Sequence, residues 1–209
     1  MSQESECRGV QGLEKWGGEV RKRQDLELHG TLIPATWSGQ KITHPVRYLF
    51  WVDDTHFHFL ASDKTGPGLL HPESKPSEYQ EDLWKYDAAE FFLLSADRSR
   101  YLEFNLGPNG SWWSSAFIRP RVAAPGEPTP IPDVTTSARQ DKDRWHAMAS
   151  IPLPWLNSNY GFGTKTALNA TFILKSPKQI FLTSGKLGNG EPDFHRPDHF
   201  PIIKAISLA

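Results

Sequence analysis

The strongest constraint on the fold is a two-residue alternation of apolar and polar side chains in short segments that turn residues separate. In YLEFNLG, residues 101–107, every second side chain from Leu102 onward is apolar, which is the period of a β-strand that buries one face. The next residues, PNG at 108–110, are a strong turn signal, and SWWSSAFI at 111–118 follows them. These segments predict neighbouring antiparallel strands.

Comparable segments recur along the chain. VRYLFWV (46–52) and HFHFLAS (56–62) flank the residues DDT and predict a hairpin. AAEFFLLSA (88–96) and RWHAMASIPL (144–153) supply further strands, and 17 Pro and 16 Gly in 209 residues provide frequent turns. No convincing amphipathic helix is longer than two turns. The side chains that we expect in the core are Phe57, Phe91, Leu102, Phe104 and Leu106.

These features predict an all-β fold with little helix. We expect an antiparallel two-sheet β-sandwich of the jelly-roll or immunoglobulin-like kind. The length of 209 residues suits one domain with a sizeable core. Residues 1–24 are polar and charged, and we interpret them as an N-terminal tail or irregular lead-in, with residues 25–209 forming the single sandwich domain.

Charge and composition exclude several function classes. A net charge of −1 gives no electrostatic reason to bind nucleic acid or an anionic membrane, and no window approaches about 18 consecutive apolar residues. The single cysteine, Cys7, cannot form an internal disulfide. The N-terminal sequence has no apolar segment typical of a signal peptide. We therefore expect a cytoplasmic protein, or a secreted one if a leader has been removed.

The sequence gives only weak signals for metal binding or catalysis. His56 and His58 share a strand face, but alternation of His with Phe is also the ordinary pattern of a half-exposed strand. There is no GxSxG nucleophile elbow. A glycoside hydrolase needs two carboxyl groups, for which Glu90 and Glu103 are the candidates. We expect no cofactor and no catalytic metal, although a structural Ca²⁺ at an acidic loop remains open.

Aromatic residues near strand ends give a more specific signal. Trp84, Tyr86, Trp112 and Trp113 lie close to turns, where a core does not require large rings. A flat ring covers the C–H face of a sugar, while carboxylate and amide groups bind its hydroxyls. Trp84, together with Glu90 and Asn105, supplies this mixture, although Trp84 could equally close the end of the sandwich.

Four segments in order resemble the family 9 carbohydrate-binding modules, which are β-sandwiches related to the DOMON superfamily. The segments are LWKYDAAEFFLL, YLEFNLGPNGSWW, RWHAMASIPLPWL and PDFHRPDHFPIIKA. The resemblance covers residues 46–209 and is thinnest between residues 60 and 80. It implies a non-catalytic protein that binds a mono- or oligosaccharide at one end of the sandwich, between aromatic rings and a carboxylate.

The resemblance also implies the roles of individual residues. Trp84 matches the first aromatic clamp and Glu90 the acid that binds the sugar, while Phe194 and His195 stand where better-known members carry a second Trp. The choice of sugar and the oligomeric state stay open. The ligand-binding residues predicted in this way are Trp84, Tyr86, Glu90, Asn105, Trp113, Phe194, His195 and Arg196.

Three alternatives remain open at this stage. The sandwich could be a structural or interaction module that binds no sugar. It could also be a haem-binding DOMON-like domain with Met148 or His195 as an axial ligand. The third alternative is a glycan hydrolase that uses Glu90 and Glu103.

Overall fold

The structure, a computed structural model, describes residues 13–15, 30–176, 178–203 and 206–208. These residues form two β-sheets, one eight-residue α-helix and two 3-10 turns. The helix, α1, is Leu153–Tyr160, and the 3-10 turns are Leu83–Lys85 and Pro197–His199. The strands are β1 (Leu13–Lys15), β2 (Thr31–Ala35), β3 (Lys41–Val52), β4 (His56–Asp63), β5 (Ala88–Leu94), β6 (Tyr101–Leu106), β7 (Trp112–Arg119), β8 (Val122–Ala123), β9 (Thr135–Asp141), β10 (Arg144–Pro152), β11 (Ala167–Leu174), β12 (Ile180–Thr183) and β13 (Ile206–Leu208).

The two sheets pack face to face as a β-sandwich. The seven-stranded sheet has the order β13-β1-β3-β4-β10-β9, with β2 also paired to β3, and the six-stranded sheet has the order β12-β11-β5-β6-β7-β8. The predicted two-sheet architecture is confirmed. Helix α1 begins directly after Pro152 and ends at Gly161, whose φ of 58° places it in the left-handed region that favours glycine. In the described residues no helix has the length and apolar character to cross a membrane.

One edge of the larger sheet departs from the antiparallel prediction. Strand β1 pairs in parallel with both β3 and β13, whereas the other strand pairs are antiparallel. The predicted tail, residues 1–24, therefore includes a three-residue strand, and its other residues lie outside the described part. A strand of three residues is too short to show alternation in the sequence. Parallel strands are also not joined by a hairpin turn, so no turn signal marks this strand.

The main core lies between the sheets and follows from the alternation along each strand. Phe57, Phe91 and Phe104 are fully buried there, and the last two rings stack with centroids 5.1 Å apart. The predicted core residues are all buried, which confirms the period-two assignment of β4, β5 and β6. Trp145 on β10 is fully buried in the same layer.

The outer face of the six-stranded sheet is also covered, and this second layer positions the candidate site. All residues of β5 and β6 are buried, because chain segments outside the sheet pack on the face that points away from the main core. The buried members of this second cluster are Leu83, Phe92, Leu94, Tyr101, Trp113, Phe117, Ala167, Ile173, Leu187, Phe194 and Phe200. Burial on both faces explains why AAEFFLL, apart from Glu90, carries apolar side chains on both faces and shows no simple alternation.

Candidate functional site

A cleft of about 390 Å³ opens on the outer face of the six-stranded sheet. Its floor consists of outward-facing side chains of β5, β6, β7 and β11. Its walls come from the first 3-10 turn, from β12 and from the closing loop, which is residues 184–196 between β12 and the second 3-10 turn. The floor residues are Glu90, Phe92, Glu103, Trp113, Phe117 and Ile173. The remaining lining residues are Trp84, Arg121, Gln179, Phe181, Pro192, Phe194 and His195.

Two carboxyl groups reach this floor because of strand register. Glu90 on β5 points outward, since its neighbours Ala89 and Phe91 point into the main core. Across the ladder Phe92 faces Glu103 on β6, so the two glutamates are diagonal neighbours on one face. Diagonal positions place Cβ atoms on the order of 7 Å apart, which leaves both carboxyl groups within reach of one small ligand.

Both glutamates are almost completely buried. Glu90 is 2% exposed, and Thr171, directly opposite on β11, donates its hydroxyl to Glu90 Oε2 at 2.8 Å. Glu103 is 5% exposed and accepts a hydrogen bond from Asn105 Nδ2 at 2.9 Å. Burial raises the pKa of both carboxyl groups, and the charge of Glu103 raises the pKa of Glu90 further. The pair therefore retains protons to a higher pH than isolated carboxyls and can both donate and accept hydrogen bonds.

His195 in the closing loop lies beside this pair. The Tyr101 hydroxyl and His195 Nδ1 are 2.7 Å apart, and His195 Nε2 is 3.5 Å from Glu103 Oε2. Burial, and then the charge of Arg121, lowers the pKa of His195 to about 4, so the imidazole is neutral at pH 7. With the Tyr101 hydroxyl as donor to Nδ1, the remaining ring proton is assigned to Nε2, facing Glu103.

The closing loop is held over the sheet by a second polar cluster. Asp193 Oδ1 accepts hydrogen bonds from the backbone N–H of His195 at 3.0 Å and from Arg121 Nη2 at 2.8 Å. Burial raises the pKa of Asp193, but these hydrogen bonds and the Arg121 charge outweigh it and leave the pKa below its ordinary value. The Arg121 charge is therefore already matched by the Asp193 carboxylate.

Aromatic rings form most of the remaining lining. Trp84 is half-buried and meets Trp113 edge to face, with ring centroids 4.7 Å apart. The backbone carbonyl of Trp84 accepts a hydrogen bond from Gln179 Nε2 at 2.9 Å, which ties the 3-10 turn to the residues before β12. Phe194 packs against Phe181 with centroids 5.9 Å apart. The cleft therefore combines flat apolar walls with polar groups on its floor.

Of the eight predicted ligand-binding residues, Trp84, Glu90, Trp113, Phe194 and His195 line the cleft together. The structure places the others elsewhere. Tyr86 packs against His71 with ring centroids 4.8 Å apart, and Asn105 is fully buried beside Glu103, directly opposite Glu90 on the neighbouring strand. Arg196 lies over the Trp37 ring at 5.2 Å and donates to the carbonyls of Leu187 and Asn189. These three residues do not line the cleft, and their predicted role in ligand binding stays a prediction.

The position of the cleft also differs from the expectation. The family resemblance implied a saccharide site at one end of the sandwich, which stays a prediction, whereas the residues that line this cleft are spread over the face of one sheet. The closing loop folds back across that face, which produces a depression where an open sheet would be flat. Residues missed by the sequence prediction include Phe92, Phe117 and Arg121; the first two follow Glu90 and Trp113 at even spacing, the one signal that could have indicated them.

The structure bears on two other sites that the sequence suggested, a haem site with Met148 and His195 and a metal site with His56 and His58. Met148 packs with Leu49 and Leu60 on the outer face of the seven-stranded sheet, so the sandwich lies between it and His195 and the two cannot ligate one haem iron. His58 donates or accepts at both nitrogens, 2.8 Å from Ser150 Oγ and 3.0 Å from Asp53 Oδ2. Within the described residues no three His, Cys, Asp or Glu side chains are grouped to hold a metal ion. The structural Ca²⁺ stays a prediction.

Comparison with known proteins places the fold. No family model matches the chain. An extracellular protein of Arthroderma benhamiae is 29% identical over 130 residues, covering 56% of this chain and 52% of that protein. The chain thus spans about half the length of this curated relative.

Solved structures match over nearly the whole chain. A family 9 carbohydrate-binding module from Caldicellulosiruptor kristjanssonii, solved with cellotriose, covers 95% of this chain and 95% of its own, with a TM-score of 0.63 and 13% identity. A family 9 module from the same organism, solved with glucose, covers 95% of this chain and 96% of its own, with a TM-score of 0.60 and 16% identity. A candidate carbohydrate-binding protein from Bacteroides uniformis covers 95% of this chain and 98% of its own, with a TM-score of 0.64 and 13% identity. These likenesses confirm that the chain has the family 9 module fold.

Proposed function

We propose that this chain, which has the fold of the family 9 carbohydrate-binding modules, binds a mono- or oligosaccharide in the cleft without changing it chemically. The observation that carries the proposal is the grouping of Trp84, Glu90 and Glu103 with the closing loop in one cleft of about 390 Å³. That volume lies within the range of about 300–1,000 Å³ that small-molecule sites occupy.

The lining matches the two kinds of surface that a sugar ring presents. Trp84 is half-exposed and offers a flat ring for the C–H face. The Glu90 and Glu103 carboxyls, with the neutral imidazole of His195, provide donors and acceptors for hydroxyl groups. The protein groups that hold these side chains, Thr171 and Asn105, are themselves buried, so the floor is fixed before a ligand enters.

The solved relatives add support of a coarser kind. Family 9 modules of the same fold have been captured with cellotriose and with glucose. At 13% and 16% identity they share the fold with this chain, and the choice of sugar is not transferred. We therefore place the saccharide class, and not a particular sugar, in the proposal.

Hydrolysis fits the cleft less well than binding. A glycoside hydrolase sets two carboxyl groups on opposite sides of the scissile bond, as acid and as nucleophile or base. Glu90 and Glu103 are neighbours on one sheet face, so both approach a ligand from below. This arrangement suits hydrogen bonding to adjacent hydroxyls of one sugar.

The test is a titration of the full chain with glucose and cellotriose by isothermal calorimetry, alongside an assay for reducing-sugar release. We expect saturable binding with millimolar or tighter affinity, which corresponds to about −4 kcal/mol, and no sugar release. Trp84→Ala should weaken binding. The matched control is Trp155→Ala, because Trp155 is also a half-buried tryptophan but lies on α1 against Tyr160. Equal loss in both variants, or no binding across a broad saccharide panel, would overturn the proposal.

A further inference from the structure

Among the described residues no Lys or Arg side chain forms an ion pair with Glu90 or Glu103 on the cleft floor, although the Arg121 charge lowers the pKa of Glu103. Arg121 is bound by Asp193, and its side chain is 63% exposed. His195 is neutral at pH 7 and faces Glu103 at 3.5 Å. Neutral sugar hydroxyls can satisfy the hydrogen bonding of Glu90 and Glu103 only while these groups keep their protons, because the ionised pair would need a cation beside it.

From this charge pattern we infer that the cleft prefers a saccharide with a protonated primary amine, an amino sugar, over the neutral sugar of the same shape. This inference rests on the proposed function and names its ligand class. An ammonium group beside Glu90 and Glu103 would form charge-assisted hydrogen bonds with two carboxyl groups that are only 2% and 5% exposed. The ligand would thus supply the counter-charge that the protein lacks.

The aromatic lining supports the same ligand chemistry. Trp84, Trp113 and Phe92 surround the carboxyl pair, and Phe194 contacts Phe92 from the closing loop with centroids 6.2 Å apart. The faces of such rings attract ammonium groups, most strongly those of tryptophan. The same rings pack against sugar C–H groups, so one wall serves both parts of an amino sugar.

One unused hydrogen-bond donor, the indole N–H of Trp113, distinguishes an amino sugar from a simple polyamine. Trp113 is 6% exposed, and its indole Nε1 is buried without a hydrogen-bond partner in the structure. His195 and Arg121 also line the cleft, but His195 Nε2 faces Glu103 and Arg121 donates to Asp193. The Trp113 indole N–H needs an oxygen acceptor, which a sugar hydroxyl provides and an alkyl polyamine does not.

The experiment compares glucosamine, glucose and N-acetylglucosamine by calorimetry at pH 6, where the amine of glucosamine carries its proton. We expect glucosamine to bind about tenfold or more tightly than glucose, since one charge-assisted hydrogen bond is worth at least this factor. N-acetylglucosamine, which has the same ring but no charge, should lose the advantage. If glucose binds and glucosamine binds no better, the inference is wrong and the proposed function stands. If none of the sugars binds, the proposed function itself fails.

Variants locate the preference. Glu103→Gln should reduce the ratio of glucosamine to glucose affinity about tenfold, whereas Glu73→Gln, an exposed glutamate outside the cleft, should leave the ratio unchanged. If Glu103→Gln does not fold, the proton release measured on the wild-type protein still tests the inference. Titrations in two buffers of different ionisation enthalpy should show proton release on binding glucosamine and none on binding glucose, because the ammonium group ionises the carboxyl pair. Equal proton release with both sugars, or a ratio that survives Glu103→Gln, would refute the inference.

Discussion

Replacement of Trp84 by alanine separates ligand binding from folding. The Trp84 ring is half-buried, lines the cleft and meets Trp113 edge to face at 4.7 Å. Removing a ring that packs on a sugar should cost about 1–3 kcal/mol of binding free energy, a roughly 5- to 150-fold weaker affinity. The 3-10 turn should persist, because its tie to Gln179 uses the Trp84 backbone carbonyl, which alanine retains.

The cost in stability should be small by comparison. The variant loses the edge-to-face contact with Trp113, worth about 0.5–1.5 kcal/mol, and part of the apolar burial of a half-exposed ring. The assay pairs calorimetric titration with urea denaturation of wild type, Trp84→Ala and Trp155→Ala. If Trp84→Ala binds the saccharide within about twofold of wild type, or fails to bind only because it no longer folds, the assigned role of Trp84 is wrong.

The remaining predictions concern stability, pH and metal. Trp145→Phe should lower the free energy of unfolding by about 1–2 kcal/mol, since a buried cavity forms while an indole N–H without a partner is removed, and saccharide affinity should not change. Folding raises the pKa of Glu103 and Glu90 above their ordinary 4.5, so the stability they contribute at acidic pH is lost as the pH rises from about 4.5 toward the higher folded values. His195 acts in the opposite sense below pH 6.5 because its pKa is lowered to about 4, and comparison of Glu103→Gln with wild type at each pH cancels that effect. Between pH 5 and pH 7, the free energy of unfolding of Glu103→Gln should rise by about 1–3 kcal/mol relative to that of the wild type, as measured by urea denaturation. If the two proteins show the same dependence of stability on pH, the pKa of Glu103 is not perturbed. His58→Ala should cost about 1–3 kcal/mol because both ring nitrogens are hydrogen-bonded, and added zinc should not raise the melting temperature of the wild type; a zinc-dependent rise lost in the variant would show a metal site instead.

Alternation along single strands was enough to predict the main core. Leu102, Phe104 and Leu106 follow the period of two in β6 and are buried, and the same count places Glu103 on the other face. The run AAEFFLL hides its alternation, because both faces of β5 are covered. Only the structure shows that Glu90 and Phe92 face the cleft while Phe91 faces the core.

Contacts between distant segments could not be predicted in this way. The sequence places Asn105 as a polar residue on the same face as Glu90. In the structure its amide is fully buried and donates a hydrogen bond to Glu103, so it supports the site and does not line it. Tyr86 is two residues from Trp84, yet the chain leaves the 3-10 turn in extended conformation there and the ring turns to His71. Arg121 enters the cleft through its pairing with Asp193, 72 residues further along the chain.

The most direct test of the saccharide-binding cleft is a crystal structure of the full chain with the tightest saccharide from the calorimetric panel. We predict a sugar ring against Trp84 with polar atoms within hydrogen-bond distance of Glu90 or Glu103, and the closing loop with Phe194 and His195 over it. The chain also has a second cleft, of about 560 Å³, which Lys41 and Lys175 help to line at one end of the sandwich. A sugar found only there, or bound with Glu90 and Glu103 left uncontacted, would contradict the account.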